Sequence, residues 1–299
     1  MLDVVIIGSG PAGITAAIYA KRANLNVAVV EKEYLGTGQI AESSRVDNYP
    51  GIPGIDGYSL GEKFREHAES LGVEFTEAQV LSLGQKDGIW IIGCDEDITL
   101  ESKAVIYATG CKNRPLGVPG EEKYYGRGLS FCAVCDGAFY KGKRVAVIGG
   151  GDTALDDAMY LSDICEKVYL VHRREFFRGS ASTLEKLKQK ENVEIIVNAR
   201  VEEITGDKKI DGIILDNKTK LNISGLFAAV GMIPQTELLK EFGVLDESNY
   251  LKASEDTKTT VNGLFAAGDV RTKQLRQVVT AAADGANAIY SVMEYLRNI

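Results

Sequence analysis

The chain repeats its own opening. Residues 2–7 are a short apolar run that ends in Gly8-Ser9-Gly10-Pro11-Ala12-Gly13, continues as a helix-like stretch over 14–22 and returns through a second apolar run at 26–30 to Glu31. Residues 144–148 then lead into Gly149-Gly150-Gly151-Asp152-Thr153-Ala154, a helix-like stretch to 161, and a strand-like run at 167–171 that ends at His172. The interval from the first glycine to the residue closing the second strand is 23 positions in both copies, 8 to 31 and 149 to 172. Strand, glycine turn, helix and strand form the dinucleotide-binding unit. Its glycines let the backbone turn tightly and approach a pyrophosphate, which rests on the partly positive helix N-terminus. One such glycine pattern is a weak signal; two at equal internal spacing are a strong one. The expected fold is α/β, with two Rossmann-like three-layer dinucleotide-binding domains.

The residues closing the two copies differ in charge. Glu31 can accept hydrogen bonds from a ribose diol and repels a 2'-phosphate. The second copy has His172-Arg173-Arg174 instead, with Arg178 four residues on. Guanidinium groups bind phosphate by forked, charge-assisted hydrogen bonds. The first site is therefore expected to hold a dinucleotide without a 2'-phosphate, and the second NADPH.

Between the copies lies Phe131-Cys132-Ala133-Val134-Cys135-Asp136-Gly137, the only place where two of the five cysteines fall within one helical turn. Thiols at that spacing can close a disulfide inside one turn. A zinc site would need two further ligands at ligand-like spacing, and Cys94, Cys111, Cys165, His67 and His172 are isolated. Asp136 places a carboxyl where a dithiol cycling through a disulfide must gain and lose protons. Cys132, Cys135 and Asp136 are the candidate catalytic residues, and no metal is expected.

The remainder of the chain supports two domains. Residues 34–57 are rich in Gly, Pro, Asn, Asp and Ser and read as a long functional loop; 58–71 read as an amphipathic helix with His67 on or beside its apolar stripe. Short runs over 73–107 suggest an inserted antiparallel piece ending at Ala108-Thr109-Gly110. Pro115 and Pro119 mark one junction, Gly231-Met232-Ile233-Pro234-Gln235 another. Residues 182–190 read as a polar helix, 260–269 as a buried strand delivering Asp269 at a glycine turn, and 277–297 as a closing helix. The net charge of −8 and pI near 5.1 argue against nucleic acid as a partner. The opening carries no secretory signal, and no apolar run is long enough for a membrane helix. With an odd cysteine count, these features point to the reducing cytoplasm.

In order and spacing these motifs resemble the low-molecular-weight, NADPH-dependent thioredoxin reductases of the bacterial type. The likeness covers nearly the whole chain: GSGPAG at 8–13, GQI at 38–40, NYPG at 48–51, ATG at 108–110, CAVCDG at 132–137, GGGDTA at 149–154, HRREFFR at 172–178, Gly268-Asp269 and Arg276-Gln277. The resemblance implies a homodimer and a discontinuous FAD domain, 1–112 with 243–299, into which an NADPH domain, 113–242, carrying the cysteine pair is inserted. FAD would be held by Gly8, Gly10, Pro11, Ala12, Gly13 and Glu31, by Gln39, Asn48, Thr109 and Gly110, and by Gly268, Asp269, Arg276 and Gln277. NADPH would be held by Gly149, Gly151, Asp152, Thr153, His172, Arg173, Arg174 and Arg178. Cys135 would lie against the flavin, Cys132 would attack the disulfide of thioredoxin, and Asp136 would manage protons, the inserted domain rotating about its linkers. Thr37, in Gly36-Thr37-Gly38, and Gly179-Ser180 depart from the family pattern. A glutaredoxin-like or peroxidase-system disulfide carrier as acceptor, a different electron donor, and a non-enzymatic sensor are the competing readings.

Overall fold

The computed structural model describes residues 1–33, 37–43 and 45–299. They form two compact units, Met1–Lys112 with Ile233–Ile299, and Asn113–Met232. The first unit opens with β1 (Leu2–Ile7), α1 (Pro11–Arg22) and β2 (Val27–Glu31). It continues through α2 (Gly57–Ser70), β3 (Glu74–Glu77), β4 (Val80–Lys86), β5 (Ile89–Cys94), β6 (Thr99–Tyr107) and β7 (Cys111–Asn113). Its sheet runs β3-β2-β1-β6-β5-β4. β1 pairs in parallel with β2 on one edge and β6 on the other. Its side chains alternate between two cores: Val4 and Ile6 pack with α1, whereas Val5 and Ile7 pack on the face holding Trp90 and Leu264. Both faces are covered, which is why β1 reads as a continuous apolar run.

The antiparallel piece expected over 73–107 is β4, β5 and the first half of β6. β3 departs from that expectation, pairing in parallel with β2, Ala28 opposite Glu74. A four-residue strand carries no sign of its partner's direction; the crossover through α2 sets it. His67 is exposed on α2, off the apolar stripe.

The second unit contains β8 (Leu129–Ser130), α3 (Ala133–Asp136), β9 (Arg144–Gly149), α4 (Asp152–Ser162), β10 (Lys167–Val171), α5 (Ala181–Lys188) and β11 (Val193–Ile196). β12 (Val201–Thr205), β13 (Gly212–Leu215) and β14 (Lys220–Asn222) form a separate antiparallel sheet; β15 (Gly225–Ala229) rejoins the main one. The main sheet is wholly parallel, in order β11-β10-β9-β15-β8. β16 (Met232–Pro234) pairs with β7 where the chain returns.

After that return, β17 (Leu264–Ala266) adds in parallel to the second half of β6, and α6 (Val278–Leu296) closes the chain. The strand read over 260–269 is thus only its middle three residues. Residues 233–242, assigned by sequence to the inserted domain, belong to the first unit: Leu239 is fully buried in the Val5–Ile7 core. α6 lies close on α1 because small residues line the contact; a Cβ at Gly285 would fall 2.2 Å from the Ala12 carbonyl oxygen.

In each unit the strand order reverses beside the first strand of the repeat, between β1 and β6 and between β9 and β15. A crevice opens at the carboxyl ends of strands at such a reversal. Gly8 and Ala108-Thr109-Gly110 lie there in the first unit. Gly149 and, two residues beyond β8, Cys132 lie at the corresponding edge of the second.

Candidate functional site

In the first unit the glycine turn is fixed by close packing. Gly8 has φ +103°, and a Cβ there would stand 2.5 Å from the Ala108 carbonyl oxygen; one at Gly13 would stand 1.9 Å from the Gly8 oxygen. Gly10 is the N-cap of α1 and Pro11 its first residue, with no side chain capping the amides. Glu31 accepts from the Ser9 amide and hydroxyl at 2.8 and 3.0 Å and from the Lys32 amide at 2.7 Å, so it is anchored under the turn.

Two buried oxygens here have no hydrogen-bond partner among the described residues: Thr37 Oγ1 and Asp269 Oδ1. Thr37 adjoins the turn, since a Cβ on Gly10 would meet its carbonyl at 3.8 Å, while Gly36 lies outside the described residues. Gly268, φ +81°, packs against Ala12 and aims Asp269 from the other side. Burial pushes the Asp269 carboxyl up, against the pull of Lys273 and Arg276. Unpaired buried oxygens are costly. Thr37 Oγ1 lies against Gly61 of α2, where an added Cβ would stand 2.8 Å from it, whereas Asp269, carried by a turn packed on Ala12 of the uncapped helix, fits a polyhydroxylated, phosphate-bearing ligand such as FAD.

Most of the other residues expected at this site are committed to shaping it. Arg276 donates to the carbonyls of Asp269 and Arg271, each at 3.2 Å, and stacks 4.2 Å over the Tyr250 ring. Asn48 donates to Gln277 across 2.9 Å, Thr109 donates to the Gln235 carbonyl at 2.8 Å, and Gly110 takes φ +67°. Gln39 is half-buried on the turn Gly38–Glu42.

The sequence reading missed the group that holds the Gly268-Asp269 turn. Asp284 is buried on α6, accepts from the Gly268 amide at 2.9 Å and pairs with Arg271 at 2.7 Å and Lys273 at 2.8 Å. Burial alone would raise this carboxyl; hydrogen bonds and charge from Arg271 and Lys273 outweigh it and hold it below the ordinary range. An acid among the small residues 281–288 of an otherwise apolar helix face was the signal. Asp284→Ala would leave two buried cations without their shared partner, at a cost of about 3–5 kcal/mol. Urea unfolding checks this, and a loss below about 1 kcal/mol, the range of exposed pairs, contradicts the reading.

In the second unit Gly149, Gly150 and Gly151 turn into α4 by the same means. A Cβ at Gly149 would lie 2.4 Å from the Ala229 carbonyl oxygen. Residues 172–180 fold back over this turn: the Arg178 and Gly179 amides donate to the Gly150 carbonyl at 2.7 and 3.2 Å, and the Ser180 amide to Asp152 at 2.7 Å. Gly179, a departure at sequence level, is explained, because a Cβ there would meet the Asp152 nitrogen at 2.8 Å.

His172 serves as a support. Its ring is buried against Gly150, tilted on Phe177 at 4.8 Å, and its Nε2 donates to the Phe176 carbonyl at 3.2 Å. Burial depresses its pKa. Arg173, Arg174, Arg178 and Thr153 are exposed, so the arginines and the turn amides offer themselves to a ligand.

Cys132 and Cys135 form a disulfide, Cα atoms 5.3 Å apart. Cys132 is the N-cap of α3 and accepts from the Cys135 amide at 3.2 Å, while Ala133 is fully buried. Asp136, its carboxyl raised by burial, accepts from the Ser130 hydroxyl at 2.6 Å. Ser130 is a second residue the sequence reading passed over. The other thiols are inert by burial: Cys111 is pushed up to about 12 and Cys165 to about 11, with Cys94 also raised. Thiol chemistry therefore falls to the pair.

A family model for pyridine nucleotide-disulphide oxidoreductases matches residues 2–285. The chain is 38% identical to a thioredoxin reductase of Bacillus subtilis over 99% of its own length and 95% of that protein's. It is 39% identical to a 34.2 kDa protein in the rubredoxin operon of Clostridium pasteurianum, over 99% and 97%. Among solved structures, the thioredoxin reductase of Streptococcus pyogenes superposes with a TM-score of 0.94 at 40% identity, covering 100% of this chain and 99% of that one.

Proposed function

The chain belongs to the pyridine nucleotide-disulphide oxidoreductase family, and on that premise we propose that it is an NADPH-dependent flavoprotein thioredoxin reductase carrying FAD. The observation that carries this reading is the Cys132–Cys135 disulfide beside the half-buried Asp136, in the same unit as an arginine-flanked glycine turn. FAD supplies a carrier that accepts two electrons as hydride and delivers them to a disulfide. The amides opening α1, Glu31 and Asp269 would hold it; the amides opening α4 and the arginines 173, 174 and 178 would hold NADPH.

Reducing the Cys132–Cys135 bond takes two electrons and two protons. Cys132 then attacks the thioredoxin disulfide as thiolate, forming a mixed disulfide and releasing one partner thiolate. Cys135 attacks Cys132 Sγ, re-forming the internal bond and releasing the second. Asp136, its carboxyl raised by burial against the pull of the Ser130 hydrogen bond, is the group that exchanges protons with the pair. No helix among the described residues is long and apolar enough to cross a membrane. The homodimer, the cytoplasmic location and the division of roles between the cysteines rest on the family resemblance.

The direct test is steady-state NADPH consumption with oxidised thioredoxin from the same organism, with NADH as control. Sustained turnover with NADPH alone is expected. Consumption limited to one equivalent, whatever the concentration of thioredoxin, removes thioredoxin as partner.

A further inference from the structure

Ser130 ends β8 and is 5% exposed. Its Oγ accepts from the Cys132 amide at 3.1 Å and lies 2.6 Å from Asp136 Oδ2 and 3.3 Å from the Cys132 carbonyl oxygen. A hydroxyl has one proton to give and two lone pairs. When Asp136 is ionised, that proton goes to the carboxylate, the shorter and charge-assisted contact. When Asp136 is protonated, the carboxyl can donate to Oγ, and the hydroxyl proton can swing to the Cys132 carbonyl. Ser130 Oγ and Asp136 Oδ2 stay paired in both states. A half-buried carboxyl left without that partner, by contrast, would favour its neutral form.

Resting on the redox reading of the cysteine pair, we propose that Ser130 is a positioning residue that fixes Asp136 beside the Cys132–Cys135 pair and keeps its Oδ2 hydrogen-bonded in both protonation states. The other titratable groups on the packed elements are Tyr140 from the following turn and Asp152, Asp156, Asp157 and Tyr160 from α4. Asp157 is itself pushed up to about 7, by burial and then by Asp156. Burial raises the Asp136 carboxyl and the Ser130 hydrogen bond opposes it, so removing the hydroxyl raises it further.

The test compares Ser130→Ala and Ser130→Thr with the parent in two assays run across pH. One is the rate at which the pre-reduced protein reduces thioredoxin; the other is iodoacetamide alkylation of Cys132, which needs no partner protein. In Ser130→Ala the limb belonging to Asp136 is expected to move to higher pH by about one unit, the scale of one hydrogen bond to a charged group. Ser130→Thr, which keeps the hydroxyl, should restore the parent profile. Profiles of Ser130→Ala that superpose on the parent in both assays overturn the proposal. So does a Thr variant displaced as far as Ala. If the alkylation limb moves as expected while the parent fails to reduce thioredoxin, Ser130 keeps its role and the assignment of thioredoxin as partner falls.

Discussion

Cys132→Ser is expected to end reduction of thioredoxin, by at least about 10³-fold as for loss of other covalent nucleophiles, while the protein still consumes a first equivalent of NADPH. The split follows from where the groups sit. Serine at 132 keeps the side-chain acceptor that caps α3 and takes the Cys135 amide, so the turn survives. What is lost is the sulfur that forms the mixed disulfide. The second glycine turn and the arginines lie on other strand ends and are untouched. A rapid-mixing trace of NADPH absorbance should therefore show one stoichiometric phase and no steady state. Continued turnover would mean that Cys135 can serve the partner directly. Loss of the first phase would mean that the substitution reaches the cofactor sites, and the separation of roles would fail. The buried thiols of Cys94, Cys111 and Cys165 cannot substitute, since their raised pKa values keep them protonated at neutral pH.

What the sequence discloses here is short-range and repetitive. Both glycine turns, Glu31, the arginines and the cysteine pair are readable because each is a local pattern whose chemistry needs no distant partner. Their support is not readable. Asp284 holds a turn 16 residues away, and Ser130 owes its role to Asp136 across a helical turn; as letters both are ordinary polar residues. His172 shows how packing is hidden as well. Standing next to two arginines it looks like a ligand, yet the backbone places its ring under Gly150, where the close approach of a glycine makes room for it. The direction in which β3 pairs was likewise hidden, because four residues cannot record a neighbour set by the chain's path through α2. Gly179 belongs to the same class: its need for a missing Cβ comes from Gly151, Asp152 and Leu155.

That folding-back of residues 172–180 is what makes the second large effect a clean one. Arg178 and Gly179 are tied to Gly150 through their amides, His172 through its buried ring, and Ser180 to Asp152. None of these anchors uses the Arg173 or Arg174 side chain, so replacing both by alanine removes charge without releasing the segment. Each guanidinium can give a charge-assisted hydrogen bond worth about 1.5–3 kcal/mol to a 2'-phosphate. Together that is about 3–6 kcal/mol, or about 10²- to 10⁴-fold in kcat/KM for NADPH at tenfold per 1.4 kcal/mol. Solvent exposure of the arginines favours the lower end of that range. NADH, which has no 2'-phosphate, should lose little, so the ratio of the two kcat/KM values is the quantity to measure. Added salt should narrow the parent's preference more than the variant's, because screening acts on the pairs with Arg173 and Arg174 that the substitution has removed, while Arg178 remains. A double variant that keeps the parent's preference for NADPH would show that the 2'-phosphate is read elsewhere, and the contrast between Glu31 and the arginines would lose its meaning.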